Sequence, residues 1–369
     1  MSRSFLRRGL RPALMLSACL PTAASAHIKW FADVDVTGDP RVPWEVFAQP
    51  SFAALSVLAL LALFAAGAVD ARLSSARPFD AGERAFAALR WGLAACLVAT
   101  ALYFQGAPVF LTPELRTGTP WIPALQLAIA LAAVLDAPRA AAAGLVVLFV
   151  GATARYGAFH LLDYPLYLGI ATCLATRGRA AGTLRAAVAL TFLWGGIEKW
   201  LYPQWTFPLL CGSAKPLRMG LSPDVFMQGA GFVEFGLAFV VLAGGLAARV
   251  AALALVGVFL AAIPMFGAID AVGHAPFMLA LLVLAARPNP LARHFARPTP
   301  AAQGARWAGA FAALLCGLPL AYRAAHQAAY GRLRLEPVSV TMGAAATVLA
   351  LGLLLRTGHR AGAARRRRD

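Results

Sequence analysis

Apolar runs of roughly 17–22 residues recur along this 369-residue chain, separated by short stretches rich in Pro, Gly and Arg. Each run is long enough to cross a hydrocarbon core of about 30 Å as a helix. A helix satisfies its own backbone hydrogen bonds where no water is available. The pattern therefore predicts an all-α, polytopic transmembrane helix bundle. Hydropathy sets about eleven helices near 51–69, 85–105, 119–135, 140–156, 158–175, 184–201, 225–245, 248–266, 271–286, 305–322 and 338–355. Charged residues make up only 13% of the chain, against about 25% in a soluble domain. No segment reads as a separate soluble domain.

A net charge of +17 would suggest nucleic acid if the cations shared one face. They lie instead at helix ends and in the Arg365–Arg368 run, where Lys and Arg set orientation and meet anionic headgroups. The expected partner is the lipid bilayer, not nucleic acid. With the 27–50 segment outside, inner segments and helix ends carry 18 Lys/Arg and outer ones 10. This predicts a bacterial inner-membrane protein with its mature N-terminus periplasmic and its C-terminus cytoplasmic. Five cysteines occur without a CxxC, so no local thioredoxin-like or c-type haem motif is present.

Residues 1–26 read as a signal peptide: Arg3, Arg7, Arg8 and Arg11, an apolar stretch, then Ala24-Ser25-Ala26. Lipidation at Cys19 and an uncleaved anchor are the alternatives. Residues 27–50 then form a periplasmic segment, with a polar strand or turn expected around Thr37-Gly38-Asp39-Pro40. The first transmembrane helix follows at 51–69. Two four-helix units are expected at 85–175 and 184–286, two C-terminal helices within 305–355, and a basic cytoplasmic tail at 356–369. A shift of 110 residues brings the units into register. Arg139 falls on Arg249, Tyr156-Gly157-Ala158 on Phe266-Gly267-Ala268, and His160 on Asp270. Parallel repeats of this kind are a membrane architecture.

Glu234 lies about ten residues inside a helix, roughly 15 Å deep. A carboxylate there must pair, face water or stay protonated. Lys199, at the end of the preceding helix, is its expected partner. Glu198 must point elsewhere, since adjacent helical residues diverge by about 100°. Arg155, His160, Asp163, Glu198, Asp270 and His274 form a candidate periplasmic polar pocket, able to hold a metal or hydrogen-bond a quinone headgroup. His27, at the predicted mature terminus, joins His160 and His274 as a candidate metal ligand, although no tight ligand motif is present. His294, His326 and His359 are read as loop or tail residues. Trp30, Trp44, Trp121, Tyr164, Tyr167, Trp200 and Tyr202 are read as an interfacial aromatic belt.

Residues 185–286 resemble the DoxX family of four-helix membrane proteins. The resemblance rests on Gly196-Ile197-Glu198-Lys199, on Gly229-Ala230-Gly231-Phe232-Val233-Glu234 followed by Gly244-Gly245 and Arg249, and on the Ala-rich 251–262. It implies a four-helix DoxX-like unit. It also implies a role as a quinone-linked or redox-associated membrane subunit with a membrane or periplasmic redox partner. A proton-coupled small-molecule transporter using Glu234, and a non-catalytic scaffold, are the competing readings.

Overall fold

The computed structural model describes residues 30–31, 34–73, 80–212 and 214–331. These contain eleven α-helices: α1 (Pro43–Phe47), α2 (Pro50–Leu73), α3 (Gly82–Tyr103), α4 (Ile122–Val134), α5 (Pro138–Tyr156), α6 (Pro165–Ala175), α7 (Ala181–Leu201), α8 (Phe207–Cys211), α9 (Pro223–Ala243), α10 (Leu246–Ala285) and α11 (Pro300–Ala329). No strand occurs among the described residues. Six of the helices start at proline, whose fixed φ and missing N–H suit the first turn.

The chain is an all-α, multi-pass membrane bundle. Helices α2, α3, α5, α9, α10 and α11 are long and apolar enough to cross a bilayer, and α4 and α6 are shorter apolar helices. Large apolar side chains such as Leu58, Leu61, Leu102, Leu131 and Val250 face outward. In water such a surface would favour aggregation; against lipid tails it is the ordinary outer face of a bundle. The interior holds α7, whose Phe192, Ile197 and Trp200 are buried. Around it pack α6 and α9, while α2 pairs with α11 and α3 with α4 and α10.

Helix α10 spans 40 residues but is broken at Gly267 (φ 73°, ψ −156°). A straight helix of that length would separate its ends by about 60 Å. Here Asn289, just past its end, donates to Gly244 O, just before its start, at 2.7 Å. Arg185 donates both to Val241 O (3.0 Å) and to Leu284 O (2.8 Å). The chain therefore folds back at Gly267 into a helical hairpin, with arms matching the expected helices at 248–266 and 271–286. The turn between α5 and α6 has the same feature: Gly157 sits at φ 88°, ψ 154°. Only glycine adopts this region readily. The two aromatic-Gly-Ala sites of the 110-residue register thus share one backbone conformation.

Differences from the sequence reading are local. The helix expected over 158–175 is a 3-10 turn, His160–Asp163, followed by α6 from Pro165. Gly157 breaks the chain before it and Pro165 restarts it. The last expected helix, 338–355, and the basic tail lie outside the described residues, as do the signal segment, Cys19 and His27.

Candidate functional site

Helices α7 and α9 approach closely because glycine faces glycine. A Cβ on Gly196 would lie 3.0 Å from Phe235 Cβ and 3.1 Å from Gly231 O. A Cβ on Gly231 would meet Gly196 O at 2.9 Å and enter the Trp200 indole. This closeness brings the ammonium of Lys199 onto the carboxylate of Glu234, both about nine-tenths buried. Lys199 Nζ also lies 3.4 Å from Gly195 O. The expected pair is formed. Glu198 turns away from it and accepts from the Tyr322 hydroxyl at 3.0 Å.

A second cluster lies in the α5–α6 turn, at the same end of the bundle. His160 Nε2 is 2.9 Å from Glu114 Oε1, and the Tyr164 hydroxyl donates to the same carboxylate. Asp163 is one-twentieth exposed. One donor atom from each of Glu114, His160 and Asp163 falls within 4.8 Å of the others. One imidazole and two carboxylates are a donor set that suits a divalent transition metal. Burial, the Glu114 charge and the Asp163 charge hold the Tyr164 phenol well above its usual range, so it stays a proton donor. Phe159, the neighbour of His160, packs edge-on to Tyr322 at 5.1 Å, and Trp194 lies 4.6 Å from Tyr322. Asp163 also acts electrostatically on Tyr322. Glu114, His160, Asp163 and Tyr164 thus join Glu198 and Tyr322 around an aromatic wall.

The third centre is Asp270–His274, with Nδ1 3.0 Å from Oδ1 and both residues fully buried. The imidazole is flanked by Phe259 (4.4 Å, 23°) and by Trp30 (4.4 Å, 39°). Phe277 contacts both the His274 ring (5.7 Å) and the Tyr164 ring (6.5 Å), linking the two polar centres through an apolar contact. The six residues expected in one pocket are therefore distributed. His160 and Asp163 come together, and Glu198 lies beyond them across Tyr322 and Phe159. Asp270 and His274 form a separate sealed pair. Arg155 is exposed and stacks on Tyr156 at 5.9 Å.

Comparison with family models, curated proteins and solved structures yields no match for this chain.

Several residues correct the sequence reading. His326 is not in a loop: it is fully buried near the end of α11, 3.0 Å from Val36 O and 4.8 Å from the Tyr330 ring. Tyr164, Tyr167, Trp200 and Tyr202 are interior residues rather than a belt, whereas Trp44 and Trp121 are exposed. Of the strand or turn expected around Thr37-Gly38-Asp39-Pro40, the turn is formed: Gly38 N donates to Asp35 O, and Thr37 N and Oγ1 donate to Asp35 Oδ1 at 2.9 and 2.6 Å.

Glu114 was not among the expected residues, yet the 110-residue register contains it. Leu111-Thr112-Pro113-Glu114-Leu115 aligns with Leu221-Ser222-Pro223-Asp224-Val225, and Tyr164 aligns with His274. Asp70 and Arg185, also not expected, act at the opposite end. Buried Asp70 accepts from Gly245 N (3.0 Å) and Ala247 N (2.8 Å), capping the start of α10. Arg185 satisfies helix-end carbonyls of α9 and α10. Away from water, these charges supply the partners that helix termini need.

Proposed function

We propose that this chain is a DoxX-like inner-membrane protein acting as a membrane subunit in quinone-linked redox chemistry. Its site is the buried polar cluster at the end that the arginine bias assigns to the periplasm. The observation that carries the reading is the imidazole–carboxylate–phenol connection of His160, Glu114 and Tyr164, joined through aromatic rings to Tyr322 and Glu198.

Reducing a quinone to a quinol takes two electrons and two protons. A protein site serving it needs donors for the two carbonyl oxygens, acidic groups that pass protons, and flat apolar walls. Tyr164 and Tyr322 each carry one O–H, held here by Glu114 and Glu198, and each would turn from its carboxylate to donate to a quinone oxygen. Glu114, Asp163 and His160 are groups able to exchange protons within a few ångströms of one another. The electrons would come from a membrane or periplasmic partner. Lys199–Glu234 fits a supporting role: a standing ammonium balances Glu234, which weighs against that carboxylate as the exchangeable coupling group of a transporter.

Organic extraction of detergent-purified protein, followed by redox difference spectroscopy, tests the reading. The expected result is near-stoichiometric quinone in the wild type and a clear loss in Glu114→Gln. Quinone-free protein whose thermal midpoint is unmoved by added short-chain quinone would refute it.

A further inference from the structure

At the opposite end of the bundle, Glu83, Arg90, Asp136, Arg177, Arg179 and Arg287 line a cavity of about 520 Å³. That volume lies within the range of about 300–1,000 Å³ usual for small-molecule sites. Four guanidiniums face two carboxylates there, and Asp80, 3.6 Å from Arg287 Nε, still leaves the surroundings net positive.

The cavity is built by unusual backbone. Asp136 (φ 56°), Arg177 (φ 50°), Gly82 (φ 46°) and Gly178 (φ 81°) are all in the positive-φ region, uncommon for Asp and Arg. Two arginines pin the loops. Arg287 Nη1 donates to Gly178 O at 2.6 Å, and Arg90 holds Asp136 while its Nε donates to Ala133 O at 2.9 Å. Asp136, one of the two lining acids, is thereby already engaged. Arg177 reaches Asp136 only at 3.5 Å, and Arg179 Nε donates to Thr176 O at 3.1 Å. A guanidinium has five donors, so both retain N–H groups for another acceptor.

Exposed apolar side chains adjoin the lining residues along the chain. Trp91 follows Arg90, Leu135 precedes Asp136, and Leu127 and Leu131 continue the exposed stripe along α4. A site with cations at one end and lipid-facing apolar surface at the other matches an amphiphile, not a soluble anion. We propose that this cavity binds the phosphate headgroup of an anionic phospholipid, whose acyl chains lie along the exposed faces of α3 and α4. The position agrees with the general recognition of anionic headgroups by basic pockets at the cytoplasmic ends of membrane helices.

The test uses full-length protein in nanodiscs of phosphatidylcholine alone or with phosphatidylglycerol. Lipid retained after detergent exchange is quantified by mass spectrometry. Wild type should retain phosphatidylglycerol in preference to phosphatidylcholine. The Arg177→Gln/Arg179→Gln variant should bind it roughly tenfold or more weakly, since each basic side chain near the surface contributes on the order of one decade or less. Arg177→Lys/Arg179→Lys should recover most of the loss, and Arg293→Gln, outside the cavity, should behave as wild type. Size-exclusion profiles identify any variant that has failed to fold, and the Lys pair then carries the comparison. Equal retention of the two lipids, or equal retention by wild type and the Gln pair, would overturn the proposal. So would stabilisation by inorganic phosphate alone in phosphatidylcholine nanodiscs, which would assign the site to a soluble phosphate.

Discussion

The α5–α6 hairpin and the α10 hairpin turn on the same backbone conformation but are filled differently. Gly157 and Gly267 occupy corresponding positions. In the first hairpin, His160 and Tyr164 are bound by Glu114, a carboxylate from a distant loop. In the second, the corresponding Asp270 and His274 bind each other. Glu114's counterpart, Asp224, is taken by Arg41 at 2.7 Å. Trp30, also from the N-terminal segment, lies over the His274 ring. One backbone turn thus holds an imidazole–carboxylate–phenol cluster in one hairpin and a self-paired, covered imidazole–carboxylate pair in the other. The N-terminal segment touches the second unit where the first keeps its carboxylate for imidazole and phenol.

The largest effect should come from the charge pair beside these hairpins. Glu234→Leu leaves the Lys199 ammonium buried, so a loss of about 3–5 kcal/mol is expected. Adding Lys199→Met should recover most of it, as read by thermal unfolding in detergent. A double variant as unstable as the single one would mean that the pair does more than balance charge. Next come the turns: Gly157→Ala and Gly267→Ala should each cost about 1–3 kcal/mol. Closely similar costs would support equivalence of the hairpins, and a strongly unequal pair of values would break it.

Tyr164 gives a smaller, pH-dependent difference. Its phenol is held protonated by burial and by the Glu114 and Asp163 charges. Its pKa is raised in the folded state, so its contribution to stability is full below the ordinary tyrosine value of about 10 and is lost as pH rises above it. The ultraviolet difference between wild type and Tyr164→Phe should show no tyrosinate band through pH 10; a band there would contradict the buried assignment. The smallest effect is expected for Arg155→Ala, below about 0.5 kcal/mol, because this exposed side chain lies outside the cluster.

The helices were legible because lipid imposes length and apolarity on every span. Ten of the eleven expected segments fall on described residues, and helix occupies the bulk of each. The Lys199–Glu234 pair was legible for the same reason: a charge deep in an apolar run must find its opposite. The gathering of His160 with Glu114 was not, because the carboxylate comes from a loop 46 residues away and carries no helical periodicity. Tyr164 and Trp200 were misread as belt residues because aromatics at helix ends look alike in sequence whether they face headgroups or a neighbouring helix. His326 was missed because its span extends to Ala329, past the apolar run that marked it.

The most direct test of the central claim compares the two hairpins for quinone binding. Short-chain quinone is titrated against intrinsic tryptophan fluorescence in wild type, Glu114→Gln and Asp270→Asn. The account predicts saturable quenching in wild type, loss of tenfold or more in affinity in Glu114→Gln, and near-normal binding in Asp270→Asn. Normal binding in Glu114→Gln with loss in Asp270→Asn, or no saturable binding in wild type, would contradict it.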